Sequence, residues 1–426
     1  MSLLVARACV LSAVCIAYGL PAWSQVVLPE GTGKELVLRA CVGCHSLDKL
    51  AGPDGGHWPA FGPGKSREEW QRVINFMMTY RTPLTRDEVP VVIDYLAKAF
   101  PGPARPAGVR VAGPVDASIK EWKVPTPGSR PHDPAVAPDG ATWYTAQANS
   151  RLGRLDPRTG QFKEYPLQAD NPRLPYGVGP HGLVADKDGN IWYTGQLDGH
   201  MGKLDPTTGV VTKYKMPDPA AGGPHTPIFD QKGTLWFTLQ QGNMVGRLTP
   251  GTGDVTLATV PTPKSEPYGI VVNSKGVPFF TQLTGNRVGS IDPVTMQVRE
   301  YFLGAGTGPR RLAITSDDVV YYTDYALGKL GRLDPGTGRT KVWTSPSGAL
   351  SQPYAIAAVG NIIWYVEGNA RPNMLVRFDP ATETFQTWPI ASGGGVVRHM
   401  VAAPDGSLWM VGSEVDTIGK VVVGSR

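Results

Sequence analysis

From about residue 119 onward the chain repeats itself, and this repeat restricts the fold more than any other feature. Seven copies start at Pro131, Pro180, Pro224, Pro267, Pro309, Pro353 and Arg398, a period of about 42–49 residues. In the second copy, Pro180-His181-Gly182-Leu183-Val184 reads as a small-residue inner strand. Asp188-Gly189-Asn190 is a tight hairpin turn, and Ile191-Trp192-Tyr193-Thr194 is a strand whose aromatics pack on a neighbouring sheet. Gly202-Lys203-Leu204-Asp205-Pro206, the turn at Thr208-Gly209 and Lys213-Tyr214 supply the remaining two strands. Four strands per copy predict a propeller blade, so residues 119–426 predict an all-β, seven-bladed propeller.

The seventh copy ends at Val423 with no outer strand of its own. Ile119-Lys120-Glu121-Trp122-Lys123-Val124, ahead of the first copy, resembles the outer strand Lys163-Glu164-Tyr165-Pro166-Leu167. The N-terminal strand is therefore expected to complete the last blade and close the ring, leaving no open sheet edge. An open solenoid would leave this strand unexplained.

Inner strands begin at one mouth of the central channel. The residue after each starting Pro or Arg is then expected to form a ring there: His132, His181, His225, Tyr268, Arg310, Tyr354 and His399. Four of the seven histidines share this position. A second ring after the aromatic strand comprises Ala146, Gly195, Leu239, Gln282, Asp324, Glu367 and Gly412, with Glu414 two residues beyond its last member. Asp324, Glu367 and Glu414 are candidate ligands for a hard cation beside an imidazole base at His399. The same carboxylates could instead pair with Arg310 or Arg398, and the histidines could simply bond neighbouring carbonyls.

The first 24 residues read as a signal peptide. Arg7 precedes an apolar stretch from Ala8 to Leu20, and Ala22-Trp23-Ser24 offers a cleavage site before Gln25. The apolar run is short for a membrane span, so the expectation is a periplasmic or secreted chain with no anchor after cleavage. Cys9 and Cys15 leave with the leader, and only Cys41 and Cys44 remain. The charge balance is mildly basic, +5, with no lysine or arginine run, which argues against a nucleic-acid partner.

Cys41-Val42-Gly43-Cys44-His45 has the spacing for covalent haem c. Two thiols three positions apart can reach both vinyl groups of one porphyrin, and the next residue places an imidazole under the iron. A zinc site would want a second ligand pair, and a redox dithiol a βαβ context; neither is present. Helical spacing follows over residues 33–44, from the capping pair Ser66/Glu69 through Trp70, Val73, Ile74 and Met77, and from Thr85/Glu88 through Val89, Ile93, Leu96 and Phe100. Residues 26–101 therefore predict a small all-α haem module. Residues 102–118, rich in Pro and Gly, predict an extended linker, and the fold class expected is two domains, all-α then all-β.

Two family resemblances follow. Glu35 to Phe100, through CVGCH, the W-x-x-V-x-x-x-M stretch Trp70–Met77 and the P-L-T-x-x-E-V…I-D-Y-L-A close, resembles the monohaem cytochrome c domains of bacterial periplasmic proteins. This implies Met77 as distal iron ligand opposite His45; Met78 and His57 are alternatives. Residues 119–424, through P-[HY]-G-[IL]…D-G-x-[IL]-W-[FY]-T…[IV]-G-[RK]-[LI], resemble the streptogramin B lyases. In that family a histidine takes the proton next to an ester carbonyl of a cyclic depsipeptide, and Mg²⁺ held by glutamates stabilises the enolate. The resemblance places the base at His399, one metal glutamate near Glu414, the other at Val397, and a substrate-contacting histidine at Tyr354.

The main expectation is an exported electron-transfer protein with one haem c and a periplasmic redox partner, its propeller binding that partner or another ligand. The alternatives are a Mg-dependent, lyase-like elimination of a small-molecule or cyclic-peptide ligand, or a haem-coupled oxidation, at the propeller mouth. No quinone, flavin or nicotinamide motif is present.

Overall fold

A computed structural model of the chain describes residues 28–41, 65–79, 82–102, 105–172, 174 and 177–425. It divides into two compact units, Met1–Pro103 and Ala104–Arg426.

The larger unit is a seven-bladed propeller of seven four-stranded antiparallel sheets. The inner strands are Pro131–Val136, Pro180–Ala185, Pro224–Phe229, Pro267–Val272, Pro309–Ile314, Pro353–Val359 and Val397–Ala402, blades 1 to 7. Each is followed by the aromatic strand, as in Thr142–Ala146 and Ile191–Gly195. The side chains of that strand alternate between the two faces of the sheet. One face carries Trp143, Trp192, Trp236, Phe279, Tyr321, Trp364 and Trp409, each at most 3% exposed. On the other face, Tyr144, Tyr193 and Tyr322 lie so close to the third strand that a Cβ at Gly153, Gly202 or Gly331 would fall 2.0–2.1 Å from the ring. The recurring glycine of the third strand is a steric requirement.

The ring closes as the leftover strand predicts. Strand β1, Val115–Lys123, pairs antiparallel with β2, Thr417–Ser425, from Val115↔Ser425 to Lys123↔Thr417, and is the outer strand of blade 7. The stretch before β1, expected as a linker, is strapped to blade 6 from residue 105. Arg105 donates from Nε to the Asn369 carbonyl (3.0 Å) and from Nη2 to the carbonyls of Gly368 (3.2 Å) and Ala370 (3.3 Å). Gly108 N–H donates to Arg371 O, Val111 N–H to Thr387 Oγ1, and Thr387 N–H to Val111 O. Proline and glycine keep this stretch extended, and an extended backbone beside a sheet edge finds partners.

In the smaller unit the described residues form three short helices, α1 (Lys34–Cys41), α2 (Arg67–Thr79) and α3 (Glu88–Ala99). The second capping pair is formed: Thr85 N–H donates to Glu88 Oε2 (2.8 Å) and Glu88 N–H to Thr85 Oγ1 (3.3 Å). Ser66 is described, but the Glu69 side chain is outside the described residues, as are residues 1–27, which include the expected leader, and residues 42–64.

The expected two-domain class, with a separate small all-α cytochrome domain, is corrected. The fold that emerges is essentially one all-β propeller preceded by short helices. The apolar stripes expected to wrap a flat cofactor meet one another instead: Val37, Trp70, Val92 and Leu96 are fully buried in a single core. Of the cysteine–histidine motif only Cys41 is among the described residues.

Candidate functional site at the propeller axis

Every inner strand carries a bulge where it meets the axis. In blade 1, Pro131 pairs with Ala146 and Pro134 with Tyr144, three steps on one strand against two on the other, and the same irregularity recurs in all seven blades. Two consecutive residues per blade therefore occupy the bulge.

The register moves one expected ring member. Val397, paired with Gly412, is the counterpart of the starting prolines. The first ring is thus His132, His181, His225, Tyr268, Arg310, Tyr354 and Arg398. His399 falls one step on, in a second layer with Asp133, Gly182, Thr226, Gly269, Arg311 and Ala355. The last repeat lacks the marker proline, so a start at Arg398 lies one residue beyond the true counterpart, Val397.

Aromatic packing builds the first ring. Ring centroids of His132–His181, His181–His225 and His225–Tyr268 are 3.7, 3.7 and 3.9 Å apart. The Arg310 guanidinium lies 3.9 Å from the Tyr354 ring, 4.3 Å from Tyr325 and 5.4 Å from Tyr268. The hydroxyls of Tyr268 and Tyr354 are hydrogen-bonded. Burial opposes ionisation of Tyr354, but Arg310, with Arg398 and Arg311, outweighs it and brings this phenol down to about 8. Burial and the neighbouring Tyr354 hold Tyr268 above the usual tyrosine value.

A threonine relay holds the blades in step. Thr194 Oγ1 accepts from Gly182 N–H (2.8 Å) within blade 2 and donates to the His225 carbonyl (2.9 Å) of blade 3. Thr145, Thr238, Thr281 and Thr323 each make the same link to the next blade. Val366 and Val411 occupy this position in blades 6 and 7. The second layer is tied by charge, since Arg311 donates to both oxygens of Asp133, at 2.8 and 3.1 Å, and to Thr226 Oγ1 at 3.2 Å.

His399 is half-buried, and its Nδ1 has no hydrogen-bond partner. Burial, with Arg311 adding, pushes its imidazole well below the ordinary histidine value. The three candidate carboxylates do not assemble around it. Glu367 accepts from Ser345 Oγ (2.8 Å) and Ser347 N–H (2.7 Å), and Asp324 from Gly308 N–H (3.0 Å) and Leu327 N–H (3.1 Å). Both carboxylates hold loops between blades, and burial raises both above the usual carboxylate range. Glu414 faces Arg398, Oε1 to Nη2, at 3.8 Å. Among the described residues, Asp324, Glu367 and Glu414 form no common donor set, and Val397 supplies no carboxylate, so the residues present do not fit a resident Mg²⁺.

In the smaller unit Cys41 is buried in the helical core, with Met77 and Met78 packed against that core. Cys44, His45 and His57 lie outside the described residues. The sequence reading missed Asp133 and Arg311, and it named Arg398 as a carboxylate partner but not as a ring member. The signal that could have found Asp133 and Arg311 is the position directly after each ring residue, which the bulge also brings into play.

No family model and no curated protein matches the chain. Solved structures do. A streptogramin B lyase structure superposes with a TM-score of 0.65 at 25% identity, covering 72% of this chain and 98% of that one. Virginiamycin B lyase from Staphylococcus aureus gives 0.64 at 22% identity, covering 72% and 99%. A catalytically inactive histidine-to-alanine form of that lyase with quinupristin gives 0.64 at 23% identity, with the same coverage. The chain therefore contains a seven-bladed β-propeller similar to that of streptogramin B lyase.

Proposed function

We propose that the propeller carries a lyase-like activity, the opening of an ester or lactone by elimination at one end of its axis, with His399 as general base. The observation that carries this reading is His399 itself, half-buried, unpartnered at Nδ1 and kept neutral by burial and Arg311. A neutral imidazole is the form that accepts a proton. His399 takes a proton from a carbon next to a carbonyl, the C–H electrons become a C=C bond, and the C–O bond breaks to release a carboxylate. Negative charge grows on the carbonyl oxygen on the way, and Arg398 supplies a nearby positive charge to meet it. No step runs through a metal.

The test is incubation of the full chain with quinupristin, followed by chromatography and mass determination. Elimination gives a product of changed retention and unchanged mass, and His399→Ala abolishes it. A product heavier by one water, or equal turnover by the variant, overturns the reading.

A second reading concerns the N-terminal unit. The Cys41-Val42-Gly43-Cys44-His45 spacing supports one covalent haem c, and the resemblance of residues 35–100 implies His45 and Met77 as its axial ligands. Such a group cycles one electron, and would make the exported chain, periplasmic or secreted, an electron carrier for a redox partner protein. After expression with a haem-attachment system, a denaturing gel band with haem peroxidase activity at the mass of the chain is expected. A band without it would falsify haem attachment.

A further inference from the structure

His132, Asp133 and His181 bring three metal-ligating side chains to one buried point on the axis. Each offers a donor atom, and these atoms all lie within 4.8 Å of one another. The three residues are 1–3% exposed. We propose that they form a binding site for a divalent first-row transition ion, Zn²⁺ or Cu²⁺, distinct from the elimination chemistry at His399.

The nitrogen inventory argues for it. His181 Nδ1 is buried and has no hydrogen-bond partner, and neither has Nε2 of the adjacent His225, whose tilted ring lies with its centroid 3.7 Å from that of His181. Buried polar atoms are almost always satisfied, and an orphaned imidazole nitrogen beside another imidazole and a carboxylate has a metal ion as its natural partner. The repeat also concentrates these imidazoles. Blades 1, 2 and 3 place histidine at the same ring position, so the donors stand side by side along one wall of the axis.

Asp133 supplies the third donor. Its Oδ1 faces His132 Nδ1 at 2.8 Å, and Arg311 donates to both of its oxygens. A carboxylate has about four lone-pair positions, so one remains after these three contacts. Loading exchanges the His132–Asp133 hydrogen bond for metal–ligand bonds, and the neutral imidazole keeps its one proton, which moves from Nδ1 to Nε2. Asp133 balances the Arg311 charge, and Glu414 faces Arg398, another guanidinium whose charge reaches these histidines. Two imidazoles and a carboxylate suit zinc or copper and are a poor set for Mg²⁺.

The site is closed to solvent, so the ion enters as the chain folds. The test is the full chain purified from copper-supplemented culture, with copper per chain measured after dialysis and the electron paramagnetic resonance spectrum recorded. One copper per chain is expected, with nitrogen hyperfine structure from two imidazoles, a signature that thiolate binding at Cys41 and Cys44 would lack. His181→Ala and Asp133→Asn are expected to weaken retention by about 10- to 100-fold. Thermal melts verify that the variants are folded, and His132→Gln replaces any that is not. Wild-type chain without copper, or copper held equally by folded variants, overturns the proposal and assigns the histidines to blade packing. Ester opening by His399 does not enter this measurement.

Discussion

Arg311, on blade 5, crosses the propeller axis to Asp133, on blade 1, and holds both of its carboxylate oxygens, at 2.8 and 3.1 Å. Both side chains are about 1% exposed. These blades are not neighbours in the ring, so the pair is a cross-brace rather than a link in the blade-to-blade chain. Breaking such a pair from one side strands a charge in a medium that cannot solvate it. Asp133→Ala should therefore lower the unfolding free energy of the full chain by about 3–5 kcal/mol, while Asp133→Leu with Arg311→Met should cost far less. Urea unfolding of the three proteins checks this, and an unchanged midpoint for Asp133→Ala would count against the brace.

Tyr354 should ionise early. Burial resists it, but Arg310 against its ring wins, and the phenol is brought down to about 8. An unfolded tyrosine titrates near 10. Between these values the folded chain binds fewer protons than the unfolded one, so stability rises with pH by about 1.4 kcal/mol per unit and is lost as pH falls through 8. The phenolate ultraviolet band should show one early group, missing in Tyr354→Phe and moved upward in Arg310→Met. An early group that survives Tyr354→Phe assigns the titration elsewhere.

The threonine relay should carry measurable stability. Thr194→Val keeps the shape and removes both the acceptor for Gly182 N–H and the donor to the His225 carbonyl. The buried Gly182 N–H is left without a partner and the His225 carbonyl loses one, a cost of roughly 1–3 kcal/mol. Blades 6 and 7 carry Val366 and Val411 there and set the limit, since a loss below about 0.5 kcal/mol would mean that packing alone holds neighbouring blades.

The strap before β1 should behave as part of the propeller. Arg105→Ala removes the donors to Gly368, Asn369 and Ala370. Amides of Gly108 and Val111 should then exchange with solvent at least about ten times faster, with amides of the inner strands unchanged. Equal exchange in both proteins would show that the backbone bonds of the strap suffice without the arginine.

The sequence alone determined the number of blades, their four-strand make-up and the closure of blade 7 by the N-terminal strand. Each of these is written in local patterns, the Asp-Gly turns, the alternating aromatics and the leftover Lys-Glu-Trp strand, and a pattern of period two needs no distant partner to be read. The three-histidine wall was legible for the same reason. Only the tertiary structure decided which residues meet. The bulge moved His399 out of the first ring and put Arg398 into it, because register is set by pairing Val397 with Gly412 and not by the histidine. Asp324 and Glu367 read as candidate cation ligands but are tied up by the loops between blades. The helices' apolar stripes, which read as a surface for a cofactor, close on one another in Val37, Trp70, Val92 and Leu96. Asp133 and Arg311 lie 178 residues apart, and no local signal links them. Ring closure brings them together, and burial then makes each necessary to the other, since neither charge can stay dry alone.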